Sequence, residues 1–167
     1  MTIQLGKVET PIGALTLAAV DGRICLLHFD ASERSARAAL TKWYPTDRVE
    51  KVPDPGAAAR VLRRYFDGDI SALDDVVVEM NGTDFQKKVW AALRGVKAGQ
   101  TSSYAAIAKR IGAPAAVRAV GAANGANPVA IIVPCHRVIG ADGSLTGYGG
   151  GLRRKEWLLR HEKARLF

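Results

Sequence analysis

Apolar and polar positions over residues 3–29 follow a pattern that predicts β structure. Lys7-Val8-Glu9 leads into the turn Thr10-Pro11-Ile12-Gly13, an apolar run follows over 14–20, and Asp21-Gly22 separates it from another over 23–29. Asp-Gly between apolar runs is a hairpin signal, because a two-residue hairpin turn needs residues that tolerate positive φ. The period then changes. Ala36, Ala39, Leu40 and Trp43 fall at helical spacing over 32–43. Val52-Pro53-Asp54-Pro55-Gly56 breaks the chain, and Val61, Leu62, Tyr65 and Phe66 mark the apolar side of a helix over 57–66. Val76-Val77-Val78 predicts a short strand. Strands and helices mixed in this way read as α+β. Cys25 alternates with Leu27 and reads as core, and His28 reads as a strand residue because no second metal ligand is evident.

Asn81-Gly82 marks a boundary between domains at 1–80 and 81–167. Thr83-Asp84-Phe85-Gln86 has the form of a capping box, in which Thr83 accepts from the Gln86 amide and Gln86 reaches back. It opens a helix to Leu93 whose stripe of Phe85, Val89, Trp90 and Leu93 reads as core rather than as a stacking platform for bases. Ser102 or Ser103 can cap a second helix through Ile111. Gly112-Ala113 turns the chain, and Pro114 suits the first position of a third helix to Asn124. Two helices joined by so short a turn read as helix-turn-helix. The third helix carries Ala115, Ala116, Ala119, Gly121, Ala122 and Ala123 around a single Arg118. Major-groove readers use long polar side chains. A face this smooth can approach DNA closely, at Ala119 and Gly121 for example, but reads little sequence; alanines are also ordinary helix-packing residues. Gly140-Ala141-Asp142-Gly143-Ser144 reads as the turn of a wing hairpin, and residues 153–163 as a final basic helix.

Charge separates the two halves. Residues 1–80 carry 10 Lys/Arg against 12 Asp/Glu, while 81–167 carry 14 against 4. A basic half beside a near-neutral one points to a polyanion, with nucleic acid the leading candidate and a solvated basic face the alternative. No apolar run approaches the roughly 20 residues of a membrane span. Two cysteines are too few for a disulfide framework or a four-cysteine zinc site, so a reduced, cytoplasmic setting is expected. Gly149-Gly150-Gly151 lacks the Lys-Ser/Thr ending of a phosphate loop, which excludes that mode of nucleoside triphosphate binding.

The chemistry concentrates in Ile131-Ile132-Val133-Pro134-Cys135-His136-Arg137-Val138-Ile139. Apolar flanks predict burial, and Pro134 keeps the chain extended or turning. A thiolate is the nucleophilic form of cysteine, and nearby positive charge favours it. In an extended segment neighbouring side chains point to opposite faces, so His136 is expected to reach Cys135 through a water. On these residues alone, Cys135 reads either as an activated nucleophile or as a small core hydrophobe.

Pro134-Cys135-His136-Arg137-Val138 resembles the active-site signature of the O6-alkylguanine-DNA alkyltransferases. Asn127-Pro128, Ser103-Tyr104, Arg118, Tyr148-Gly149-Gly150-Gly151-Leu152, and Lys155-Glu156-Trp157-Leu158-Leu159 with Glu162 extend the resemblance over 83–162. The resemblance implies an N-terminal ribonuclease H-like α/β domain and a C-terminal winged-helix-like domain. It implies direct, stoichiometric and irreversible transfer of an alkyl group from O6 of guanine, and from O4 of thymine, to Cys135. In that scheme His136 is the base acting through water, Glu162 orients His136, and Asn127 shapes the turn that presents Cys135.

The target base must leave the stack. Arg118 resembles the residue that fills the vacated space, and Tyr104 the one that crowds the 3′ phosphate. Ser103, Pro134, Val138, Tyr148, Gly149 and Gly150 would line the base pocket. Gly149 stands where several relatives have serine, so a hydrogen bond to O6 would come from the backbone. Ala130 stands where some relatives have proline. The implied partner is double-stranded DNA carrying the lesion, met through its minor groove without sequence preference. The chain would act as a monomer with no metal, organic cofactor or membrane. Two other readings are a module that flags lesions without repairing them, disfavoured because Cys135 is present, and a thiol hydrolase, which leaves the basic half unexplained.

Overall fold

The computed structural model of the chain describes residues 1–29 and 32–164. Within them Asp21 and Gly22 take φ of 50° and 75°, which closes the hairpin between β2 (Gly13–Val20) and β3 (Arg23–His28). The preceding hairpin joins β1 (Thr2–Thr10) to β2, and Thr10 Oγ1 donates to the Gly13 carbonyl at 2.7 Å. Ser32 caps α1 (Glu33–Trp43), its hydroxyl accepting from Ser35 N at 3.2 Å. The chain then returns as β4 (Arg48–Lys51), parallel to β1. The sheet order is β3-β2-β1-β4.

One face of the sheet, with Ile3, Leu5, Ala18, Val20, Cys25 and Leu26, packs on Ala36 and Leu40 of α1. The other face meets the turn Pro55–Ala57, where Gly56 N donates to Gln4 Oε1 at 2.9 Å, just before α2 (Ala58–Phe66). β4 carries only Val49 among polar residues, so the apolar pattern does not announce it. The strand expected at Val76-Val77-Val78 is instead a single parallel bridge from Val78 to Ile24. Two flanking hydrogen bonds, Ile24 N to Val77 O and Glu79 N to Ile24 O, hold it to β3.

Met1–Asn81 forms one compact unit and Gly82–Phe167 a second. The second opens with α3 (Asp84–Arg94), and both hydrogen bonds of the Thr83/Gln86 capping box are present. Val89, Trp90 and Leu93 are buried, and the Trp90 indole donates to Ala123 O at 2.8 Å, which places it in the core. Ser103 caps α4 (Tyr104–Arg110) through its hydroxyl. The next helix, α5 (Val117–Gly125), begins three residues after Pro114. Pro114 lies in a turn closed by Ala116 N to Ala113 O, and this tight reversal after Gly112 (φ 77°) delays the helix.

The turn at Gly140–Ser144 forms, with Gly140 N donating to Ser144 O at 2.8 Å. Its flanks do not make a wing hairpin among the described residues. β6 (Val138–Ile139) pairs in parallel with β5 (Ser102–Ser103) rather than with the chain after the turn. The last helix, α6 (Leu152–His161), ends in a cap at Glu162. No helix among the described residues is long and apolar enough to cross a membrane.

Gly6 tests the sheet face against the Pro55 turn. A Cβ there would lie 2.4 Å from the Val52 carbonyl oxygen and 2.9 Å from Pro55 Cδ. Backbone at that distance cannot step aside cheaply, so Gly6→Ala is expected to cost about 1–3 kcal/mol. A urea titration reads this as a lower midpoint at unchanged slope.

Candidate active site

Asn127 sets the path of the chain into the site. Its Oδ1 accepts from Val129 N at 2.9 Å and its Nδ2 donates to Val133 O at 2.8 Å, so one side chain spans residues 127–133. Inside that span Ile131 takes φ 69°, a left-handed conformation that a β-branched residue rarely adopts. Such strain persists only where the surroundings over-determine it. Here every residue from 128 to 139 is buried.

Cys135–Arg137 then forms a single 3-10 turn, with Arg137 N donating to Pro134 O at 3.0 Å. This corrects the expectation of an extended segment with opposed neighbours. Pro134 holds φ at −83° and the chain bends back immediately. Asn124, buried on α5, donates to the Cys135 carbonyl at 3.4 Å.

His136 and Arg137 converge on one carboxylate. His136 Nε2 lies 2.8 Å from Glu162 Oε2, while Arg137 Nε and Nη2 donate to Oε1 and Oε2, each at 2.9 Å. Arg137 Nη1 donates to Val96 O at 2.7 Å. Glu162 is fully buried. Burial pushes the Glu162 carboxyl up, but the charge and hydrogen bonds of His136 and Arg137 outweigh it and hold it at about 2. Burial pushes His136 down, against the pull of Glu162, which favours neutral imidazole at rest. An ionised carboxylate at Nε2 assigns the proton to that nitrogen. Nδ1, buried and with no hydrogen-bond partner among the described residues, is then the basic atom.

Cys135 is only 6% exposed, so a reactant must be brought to the thiol rather than met at the surface. Burial raises its pKa, and a hydrogen bond from the Asn127 side chain and the charge of Lys155 act the other way. Cys25 is fully buried and pushed up to about 12 by burial first and the Glu79 charge second, which leaves it inert.

Lys155 is the residue that the sequence reading quoted without a role. It is fully buried, and its Nζ donates to Val138 O at 2.6 Å and Thr146 O at 2.8 Å. Burial lowers it to about 8, opposed by Cys135. The available signal was the stripe of Lys155, Leu158, Leu159 and Glu162, all buried on one side of α6.

The remaining candidate residues divide. Ser103 pairs with Ile139 across β5–β6, next to the cysteine segment. Tyr104 Oη lies 2.9 Å from Thr146 Oγ1, a partner that the sequence did not indicate. Arg118 and Ala119 are exposed on α5, and a Cβ at Gly121 would lie 3.9 Å from Tyr104 Cδ1. The Tyr148 hydroxyl is buried and raised well above its usual range by burial first and then by the Cys135 and Glu162 charges. Gly149 faces open space, and Gly150 O accepts from Arg154 Nη1 at 3.1 Å. Pro134 and Val138 are buried. No group of three or more His, Cys, Asp or Glu among the described residues could hold a metal ion.

A buried cysteine beside an oriented histidine, in a basic unit with two helices joined by a turn, defines a class with a reactive thiol and a DNA-binding domain. Residues 84–164 match the model of the 6-O-methylguanine DNA methyltransferase DNA-binding domain. The chain is 49% identical over 166 residues to a Mycobacterium tuberculosis methylated-DNA–protein-cysteine methyltransferase, covering 98% of this chain and 94% of the relative. It superposes on a crystal structure of M. tuberculosis O6-methylguanine methyltransferase with a TM-score of 0.80 at 43% identity, over 96% of this chain and 93% of that one. For the M. tuberculosis protein OGT in complex with DNA the values are 0.76 and 45%, over 96% and 92%. The chain belongs to the methylated-DNA–protein-cysteine methyltransferase family.

Glu162→Gln removes the only negative charge that Arg137 and His136 share in this pocket among the described residues. Breaking a buried pair in this way is expected to cost about 3–5 kcal/mol at neutral pH. Because the folded pKa of about 2 lies below the ordinary 4.5, the unfolded chain binds more protons between them. The wild type should therefore lose this stability as pH falls from 4.5 towards 2, and the variant should lack that part of its acid limb. Denaturant titrations across this range check both statements.

Proposed function

We propose that the chain repairs double-stranded DNA by moving one alkyl group from O6 of guanine to Cys135, and that each molecule acts once. The observation that carries this reading is the buried Glu162–His136 pair on the residue next to Cys135: a carboxylate at Nε2 fixes the imidazole proton there and leaves Nδ1 without a protein partner among the described residues. The Cys135 proton passes to His136 through a water. The sulfur then attacks the alkyl carbon, a C–S bond forms as the C–O6 bond breaks, and the departing guanine takes back one proton. An activated nucleophile of this kind usually has a second step that frees it. A thioether offers none, so the acceptor is consumed. O4 of alkylated thymine presents the same alkyl–oxygen bond and is a second substrate.

The thiol's low exposure requires the base to leave the helix. In our reading Arg118, exposed on α5 among small residues, occupies the vacated space and Tyr104 crowds the 3′ phosphate. Ala119 and Gly121 let α5 approach the minor groove without reading sequence. Ser103, Pro134, Val138, Tyr148, Gly149 and Gly150 wall the base pocket, and Asn127 holds the turn that presents Cys135. Phosphate contacts by the basic second half supply affinity, and the protein works as a monomer in the cytoplasm. We assign the first unit to the ribonuclease H-like folds, on the strength of three antiparallel strands followed by a helix and a strand parallel to β1. The second is assigned to winged-helix-like folds on the strength of its α4–turn–α5 arrangement.

Lesion-bearing duplex added in excess should label the protein to about one alkyl group per active chain, on the peptide containing Cys135. Cys135→Ala should remove transfer and keep duplex binding, and Cys25→Ser should keep transfer. Burial holds His136 below its usual 6.5, so the acid loss of rate should fall below that pH. Mass spectrometry reads the label. Turnover far beyond one equivalent would contradict single use, and lesion binding without label would point to a flagging module.

Arg118→Ala should slow transfer from duplex strongly and leave transfer from free O6-alkylguanine base nearly unchanged, since a free base needs no extrusion. Equal losses in single-turnover rates on the two substrates would place Arg118 in the chemical step.

A further inference from the structure

Residues 140–151 carry no helix or strand, yet they are tied both to α4 and to α6. Thr146 is fastened in two directions. Its hydroxyl lies 2.9 Å from the Tyr104 hydroxyl, and its main-chain carbonyl accepts from the buried Lys155 ammonium at 2.8 Å. Lys155 in turn donates to Val138 O at 2.6 Å on β6, directly after the Cys135 turn, and its charge acts on Cys135. Burial holds the Lys155 end tightly, because an ammonium in a dry site keeps every acceptor it has. The Tyr104 end is a neutral hydroxyl pair on a half-buried side chain. Gly121 flanks the ring of Tyr104 on its α5 side, so the ring sits between α5 and the loop.

We propose that Thr146 is a positioning residue that ties Tyr104 to the wall of the acceptor pocket, so that the element acting on the DNA backbone and the pocket receiving the base are held as one body. The proposal rests on the alkyl-transfer reading above. Its consequence is specific to duplex substrate. A Tyr104 ring held at both ends resists the phosphate it presses against, whereas a free ring yields. A free base reaches Cys135 without any use of Tyr104.

The test uses the full chain and single-turnover transfer at saturating O6-methylguanine duplex, with free O6-alkylguanine base as the second substrate. Thr146→Val keeps the branched shape and the carbonyl bond to Lys155 and deletes only the hydroxyl. It is expected to lower the duplex rate about fivefold, the factor that one neutral hydrogen bond is worth, with the free-base rate at the wild-type level. Thr146→Ser, which restores the hydroxyl, should restore the duplex rate. Tyr104→Phe combined with Thr146→Val should be no slower than the slower single variant, because both delete the same bond. A duplex rate unchanged or raised in Thr146→Val, equal loss on both substrates, or additive losses in the double variant would overturn the proposal. Wild-type protein that transfers from neither substrate would overturn the alkyl-transfer reading as well. An active wild type with an unaffected Thr146→Val variant would overturn this proposal alone.

Discussion

One carboxylate organises the reactive end of this protein. Glu162 is fully buried and accepts from both the Arg137 fork and His136 Nε2. Desolvating a carboxylate costs several kcal/mol, and only close, hydrogen-bonded counter-charge offsets it. Arg137 supplies that charge with two parallel bonds in the geometry that suits a carboxylate. With Arg137 carrying the neutralisation, His136 is left uncharged and is held by the same oxygen pair in one tautomer. Adjacent residues of a 3-10 turn thus share one partner: Arg137 makes Glu162 tolerable, and Glu162 fixes the ring of His136.

The two cysteines show what this setting changes. Both are buried, and burial raises both pKa values. Around Cys25 the Glu79 charge adds to the effect, while around Cys135 the Asn127 hydrogen bond and the Lys155 charge oppose it. Burial alone would make an inert thiol, and it also keeps bulk water and other electrophiles away from the sulfur. A dry setting of this kind suits a thiol that is to react only with a group brought to it.

Geometry at the cysteine depends on side chains that perform no chemistry. Asn127 bridges the chain across a residue of positive φ, Asn124 holds the Cys135 carbonyl, and Lys155 holds Val138 and Thr146. Asn124 and Lys155 are buried and Asn127 half-buried, and each finds backbone partners, which fixes the loop more firmly than apolar packing would. The small residues of α5 serve the opposite purpose. They keep the surface after exposed Arg118 low.

Local pattern was enough where the physics is local. Asp21-Gly22 allowed only a hairpin turn, and the Thr83/Gln86 box marked a helix start because both its hydrogen bonds lie within four residues. Cys135 and His136 were singled out by a resemblance of short motifs, and the split in charge was legible because it is a sum over residues. Elements held by distant partners were not legible. β4 has almost no apolar alternation and exists because β1 offers it an edge, whereas the apolar Val76–Val78 run finds a single bridge. Pro114 suited a helix start by its fixed φ, but the reversal before it delayed α5 to Val117. Lys155 stood in a motif without a role, and nothing in the sequence singled out Thr146. Their roles come from carbonyl and hydroxyl groups 9 to 42 residues away in sequence, which only the tertiary fold brings within hydrogen-bonding distance.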